Sequence, residues 1–206
     1  MKRTDEVTRE TYNRIAGSWA SRFFDTSLMK RERMQFEKLC KNRSLILDAG
    51  CGAGRDTLCF IRDGYNVISI DYSKSMLKEA KKRVLAGHFR YMKMQHLKFK
   101  KNTFDGIWAS ASILHIKKSN AKAVLREFKR VLKKNGILFI SVKSGKGEEI
   151  AIDSEGNRRF YAYYTKSEFL DFLKGSGFLI LKSYVYKEKG RNIDWINTFS
   201  TYNDGK

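Results

Sequence analysis

Apolar side chains at Val7, Tyr12, Ile15, Trp19 and Phe23 recur near helical spacing, so residues 5–24 read as an amphipathic helix. A second helix is expected over roughly 28–41, through Leu28, Met34, Phe36 and Leu39. SLILDAG (44–50) reads as a short buried strand running into a glycine-rich turn, and 55–63 as a helix closed by Gly64. NVISID (66–71) is the next strand, with Ser73 placed to cap a helix over 74–86. Strands at 89–94 and 104–110, a helix at 120–134 and a strand at 137–142 repeat the order. Within 120–134, Val124, Leu125, Phe128, Val131 and Leu132 form one stripe with Lys and Arg opposite. Strands alternating with helices of this length predict a mostly parallel, doubly wound α/β sheet covered on both faces.

The last quarter changes character. KSGKGEEIAIDSEGNRRF (143–160) is the most loop-like stretch and reads as a mobile flap. Thr165 and Glu168 have capping-box spacing and open a helix ending near Gly175–Gly177. Two strand-like runs follow, 178–188 and 193–202. Lys189 to Asn192 are too few residues for a crossover helix, so these strands are expected to be antiparallel neighbours.

Composition narrows the class. The 206 residues are 42% apolar, enough for a core, and contain no Pro, which excludes collagen-like and Pro-rich linker readings. No apolar run approaches about 18 residues, and the N-terminus lacks the apolar stretch of a secretory signal. Cys40, Cys51 and Cys59 are odd in number and form no C-x-x-C pair, which predicts reduced thiols in a cytoplasmic protein rather than a disulfide or zinc framework. The charge is +20, and it lies wholly within residues 1–146. Between Lys74 and Lys134 stand 18 basic residues against Glu79, Asp105 and Glu127. Such an excess either attracts RNA or other anions, or decorates the solvated faces of separate helices.

The chemistry gathers in LDAGCGAGRDT (47–57), where Gly50, Gly52 and Gly54 follow a strand and precede a helix. Glycines there let backbone turn sharply and approach a ligand closely. Arg55 stands where a dinucleotide fingerprint needs its third Gly, which favours a neutral or cationic ligand over a pyrophosphate. Asp71 closes the next strand, where a carboxylate can accept both ribose hydroxyls of a nucleoside.

Asp48-Ala-Gly-Cys-Gly-Ala-Gly54, Asp71-Tyr-Ser73 with Met76, FDGIWASASILHI (104–116) and REFKRVLKKNGILFIS (126–141) resemble the class I S-adenosylmethionine-dependent methyltransferases, from about residue 10 to 185. Tyr12-Asn-Arg-Ile15-Ala16 is similar to the Y-x-x-I-A pattern of a small bacterial-type group. The resemblance implies a seven-stranded sheet with the last strand antiparallel beside the fifth, in one domain over 1–206: a helical cap (1–41), a cofactor-binding half (42–142) and an acceptor-side flap, helix and strand pair (143–206). It implies S-adenosylmethionine as cofactor and S-adenosylhomocysteine as product. Gly50 and Gly52 would pass under the methionine part, with Asp48 orienting its amino group. Asp71 would hold the ribose, and Tyr72, Met76 and Met94 would sit near the adenine. Ala109 and Ser110 would meet the methionine tail, and Tyr12 would close over the site. The family's usual acid near the Met94 position is replaced by Lys93, or by Gln95 under a shifted alignment.

Methyl transfer from a sulfonium rests on positioning an in-line nucleophile and requires no metal, which suits a chain without a His/Cys cluster. His115, after the fourth parallel strand, is the candidate base or acceptor-orienting group, against a packing role. Tyr161, Tyr163 and Tyr164 of RRFYAYYT (158–165) are candidates to line an acceptor pocket, while Trp108 reads as core and Cys51 as a small side chain that fits its loop. Arg22 and Arg55 are candidates to hold an acidic substrate. The expected acceptor is a small molecule with an O, N or S nucleophile. RNA is the alternative from the basic 74–134 segment, and a noncatalytic cofactor-binding regulator or partner subunit is the alternative from Lys93.

Overall fold

The computed structural model of the chain describes residues 4–41, 43–187 and 193–203. Seven strands form one sheet in the order β3-β2-β1-β4-β5-β9-β8. These are β1 (Leu45–Ala49), β2 (Asn66–Asp71), β3 (His88–Tyr91), β4 (Phe104–Ser110), β5 (Leu132–Lys143), β8 (Leu179–Lys187) and β9 (Asp194–Thr201). The first five run parallel, and β9 is inserted antiparallel between β5 and β8. The seven-stranded, mostly parallel sheet with its antiparallel C-terminal pair is therefore as expected. Glu188 and the Lys189–Asn192 connection, on which the pairing was argued, lie outside the described residues.

The helices are α1 (Thr4–Phe23), α2 (Lys30–Leu39), α3 (Arg55–Arg62), α4 (Lys74–Arg83), α5 (Lys118–Val131) and α6 (Lys166–Gly175). Their starts follow local chemistry. The Ser73 hydroxyl accepts from the Met76 amide at 3.1 Å, and Thr165 with Glu168 completes the capping box of α6. Helix α5 ends at Val131, short of the expected 134, because β5 already begins at Leu132 and pairs with Phe104. Strand β3 likewise stops at Tyr91, and residues 92–94 turn aside to line a cavity.

Period-two alternation divides the core between the faces of the sheet. Ile46, Val67, Trp108, Phe139 and Phe199 pack against Phe36 of α2 and Phe60 of α3. Leu47, Ile107 and Ala109 pack against Val124, Leu125 and Phe128 of α5 and Phe169 and Leu173 of α6. Right-handed crossovers explain this. The steps β1→β2→β3 go one way along the sheet and place α3 and α4 on one face, whereas β4→β5 goes the other way and places α5 opposite. The lysines of α4 and α5 consequently sit on opposite faces and do not compose one surface.

One expectation fails. Residues 143–160, read as the most loop-like stretch, contain β6 (Glu148–Ile152), which pairs antiparallel with β7 (Arg158–Ala162) in a separate two-stranded sheet. Asp153 makes the turn, its carboxylate accepting from the Glu155 and Asn157 amides at 3.0 and 2.9 Å. Helix α1 binds the second strand: Thr11 donates to the Arg158 carbonyl (2.6 Å), and Thr8 accepts from the Phe160 amide (2.9 Å). The hairpin is a short polar ribbon whose partners come from the other end of the chain, so local pattern carries little trace of it. Among the described residues, no helix is long and apolar enough to cross a membrane. Cys40, Cys51 and Cys59 are free thiols.

Candidate active site

Strand order reverses between β1 and β4, and a crevice outside the carboxyl ends of the strands is the expected consequence. It is present as a cavity of about 1230 Å³, roofed by α1. After β1 the chain turns through Gly50 (φ +83°), Gly52 (φ +52°) and Gly54 (φ +86°), left-handed conformations that cost a residue with Cβ. A Cβ on Gly50 would stand 2.4 Å from the Ser112 Cβ, while one on Gly52 would meet nothing within 4 Å and face the cavity.

The loop and the strand end expected to cooperate do meet. The Gly52 amide donates to Asp71 Oδ2 at 2.9 Å, and the Ser73 amide donates to Oδ1 at 2.8 Å. Burial raises the pKa of Asp71, while these backbone donors favour the charged form. Each carboxylate oxygen keeps acceptor capacity toward the cavity.

Asp48 lies beneath the loop. It accepts from Thr57 at 2.6 Å, and Thr57 lies 2.9 Å from the Ser69 hydroxyl. Burial, then the neighbouring charge of Asp56, pushes its pKa up to about 7. Asp56 is the carboxylate that sequence reasoning missed. It takes hydrogen bonds from Arg33 (2.8 Å), from Arg55 at Nε and Nη2 (3.0 and 2.7 Å), and from the Trp108 indole (3.0 Å). The network ties α2, α3 and β4 together under the loop. Its only sequence trace is an Asp after Arg in the glycine stretch, because Arg33 comes from a distant helix. Arg55, a candidate to hold an acidic substrate, is instead committed to Asp56. Arg22 lies 3.7 Å from Glu155 at the exposed rim. Trp108 is fully buried, as the core reading expected.

Tyr72, Met76 and Met94 line the cavity, with Met76 buried. Lys93 donates to Asp5 of α1 at 2.8 Å, and its ammonium stands 4.3 Å from the Tyr72 ring centre, so its charge is neutralised at the outer wall. Ser110 at the end of β4 and Ala111 and Ser112 after it line the cavity. Ala109 does not. Alternation along the strand turns its side chain into the α5/α6 core. Ser112 Oγ is buried with no hydrogen-bond partner.

Tyr12 and His115 come together across the cavity, the Tyr12 hydroxyl 2.9 Å from Nε2. Nδ1 is 2.7 Å from the Phe160 carbonyl, which can only accept, so Nδ1 carries the proton and Nε2 accepts from Tyr12. Burial drives the His115 pKa down to about 3, leaving the ring neutral. Of the three tyrosines in 161–164, only Tyr161 faces the cavity. Tyr163 donates to Glu149 at 2.8 Å, and Tyr164 packs on Phe169 in the core.

Comparison with known proteins bears on this geometry. Residues 47–140, the stretch bearing the glycine loop, Asp71 and Ser112, match the family model described as a methyltransferase domain. That match covers less than half of the chain, and over it the sequence is similar to methyltransferases. A malonyl-[acyl-carrier protein] O-methyltransferase of Hamiltonella defensa is 34% identical to this chain over 110 residues, 53% of this chain and 42% of the relative. The chain thus spans less than half the length of that curated relative. In fold, it is similar to the Burkholderia thailandensis 1,6-didemethyltoxoflavin-N1-methyltransferase crystallised with S-adenosylhomocysteine (TM-score 0.81, 19% identity, 99% of this chain and 92% of the other). It is also similar to the [4+2]-cyclase SpnF (TM-score 0.77, 17% identity, 98% and 97%). At these identities the likeness is one of fold.

The residues lining the cavity fit S-adenosylmethionine. Gly52 leaves open the space a Cβ would fill, Asp71 presents acceptors, the methionines make an apolar wall, and the orphaned Ser112 hydroxyl offers a donor.

Proposed function

We propose that this chain catalyses methyl transfer from S-adenosylmethionine to an O, N or S nucleophile of a small molecule. The observation that carries the reading is the 2.9 Å bond joining the Gly52 amide to Asp71 at the rim of one roofed cavity. The cofactor supplies an electrophilic sulfonium methyl. Asp71 receives the ribose hydroxyls, Tyr72, Met76 and Met94 flank the adenine, and Gly50 with Gly52 lets the methionine portion lie against backbone. Ser110 and Ser112 face that portion, and the ionised form of Asp48 favours its ammonium through the loop. Tyr12 closes the roof and excludes water, which strengthens every polar contact inside. His115 acts as a positioning residue: neutral, with Nδ1 bound to Phe160, it holds the Tyr12 hydroxyl in place over the acceptor side. A ring with a pKa of about 3 is a poor proton acceptor at neutral pH.

A small acceptor is favoured over RNA because the basic helices α4 and α5 lie on opposite faces of the sheet. The likeness to a cyclase keeps a second reading, the same fold binding the cofactor without methyl transfer. Calorimetry with S-adenosylhomocysteine tests the cofactor assignment. The wild type should bind, and Asp71→Ala should lose roughly ten- to a hundredfold in affinity with the loss of two charge-assisted hydrogen bonds. Equal affinity in the variant would refute the ribose assignment. Salt-sensitive tRNA binding would move the acceptor to RNA. Tight cofactor binding without transfer to any small acceptor would favour the non-methylating reading.

A further inference from the structure

Arg159, on β7, is 7% exposed and lines the cavity on the hairpin side. Its Nη2 donates to Asp153 at 2.8 Å. Its Nε and Nη1 are buried with no hydrogen-bond partner among the described residues. The ring centres around its guanidinium carbon are Trp19 at 4.8 Å and Tyr12 and Tyr161 each at 5.9 Å. Aromatic faces attract the cation but do not accept N–H groups as an oxygen does, and the Tyr12 hydroxyl, which also interacts with the guanidinium, completes no hydrogen bond to either nitrogen, so these donors are under-filled. Lys143 reaches the same wall, its ammonium 3.8 Å from the centre of the Tyr161 ring.

The geometry points to an acceptor that carries a carboxylate on a flat unsaturated ring, with Arg159 receiving the carboxylate and Tyr161 and Trp19 flanking the ring. This rests on the small-molecule reading of the cavity above and names the chemical class. Arg159 suits a carboxylate because its planar guanidinium keeps its charge in a buried site and offers directed donors to an oxyanion. Asp153 already balances part of the charge at 2.8 Å, so a single negative charge fits better than a phosphate dianion, which the aspartate would repel. The three rings give a planar ligand surfaces on which to stack, and burial of the donors selects a compact ligand over a polymer.

The test uses the full chain saturated with S-adenosylhomocysteine, whose own binding is measured first by calorimetry. Matched probes are then titrated: 4-hydroxybenzoate against 4-hydroxybenzamide, and indole-3-carboxylate against indole-3-carboxamide. Within at least one pair the acid should bind roughly tenfold tighter than its amide, as charge-assisted bonds exceed neutral ones. Arg159→Gln should bring that ratio to near one, and Arg159→Lys should leave it intermediate, since the charge remains while the directed donors are lost. No acid outbinding its amide in the wild type, or a preference that survives Arg159→Gln, overturns the inference. The wild-type comparison stands even where a variant fails to fold. Failure to bind S-adenosylhomocysteine would instead sink the cofactor reading on which the inference rests.

Discussion

Gly50 and Gly52 both have left-handed backbone, yet the structure predicts that alanine at the two positions does different damage. Either substitution costs about 1–2 kcal/mol for holding a Cβ-bearing residue at positive φ. At Gly50 the new Cβ would lie 2.4 Å from the Ser112 Cβ, closer than carbon atoms approach, whereas at Gly52 it would meet nothing within 4 Å. Relief of that clash adds about 1–3 kcal/mol, the usual cost of overpacking a tight site. Gly50→Ala should therefore be less stable than Gly52→Ala by about 1–3 kcal/mol, or roughly 2–12 °C in Tm for a chain of this size. The Ser112 Oγ, at 3.1 Å, leaves with the Cβ, and the contact after it is the Met94 methyl at an ordinary 3.6 Å, so Ser112→Gly should relieve the clash. In a double-mutant cycle the pair should recover about 1–3 kcal/mol relative to the sum of the single changes. Cofactor affinity should rank differently. Gly52→Ala puts a methyl group into the open cavity, and it should lose more S-adenosylhomocysteine affinity than its stability loss alone explains. Urea and thermal unfolding measure the first effect and calorimetry the second. Equal destabilisation by the two alanines, or no recovery with Ser112→Gly, would refute the clash as the reason Gly50 must be glycine.

Other outcomes follow from the buried charges. Asp56→Asn strands Arg33 and Arg55 without their counter-charge and should cost about 3–5 kcal/mol, measured by urea unfolding. Asp56 has a lowered pKa through its arginine partners despite burial, so its contribution is present above the ordinary Asp value and is lost as pH falls through the folded value. Asp48 has the opposite sign. With a folded pKa of about 7, apo stability should fall as pH rises from the ordinary Asp range to about 7, by up to roughly 1.4 kcal/mol per pH unit, and Asp48→Asn should flatten that slope. Over the same window S-adenosylhomocysteine affinity should rise in the wild type, as the ionised form attracts the ligand's ammonium, and stay level in Asp48→Asn by calorimetry. The rate profile from about pH 5 to 8 should show no inflection from His115, and His115→Asn should lower kcat without changing the profile's shape. An inflection near the ordinary His value that disappears in the variant would restore His115 as a base.

Much of this protein was legible along the chain because its signals are local. The β1–loop–α3 unit, the Ser73 cap, the Thr165–Glu168 box and the stripe of α5 each depend on residues within one or two turns, where backbone dihedrals and periodicity act directly. Gly50, Gly52 and Asp71 belong to the same class, since a strand–turn–helix unit fixes where its glycines and the next strand's end must stand. The features that sequence could not deliver all depend on contacts between segments far apart in the chain. Asp56 is held by Arg33 from α2 and by Trp108 from β4. The 148–162 hairpin is stitched to Thr8 and Thr11 of α1, and His115 owes its neutral state to burial beside Phe160 and Tyr12. Ala109, adjacent to a residue at the cavity, is turned away by strand alternation. Local pattern sets which elements form; tertiary packing alone sets dielectric and partner, and therefore which charges are neutralised, which titrate near neutrality, and which, like Arg159, are left facing a cavity with donors to fill.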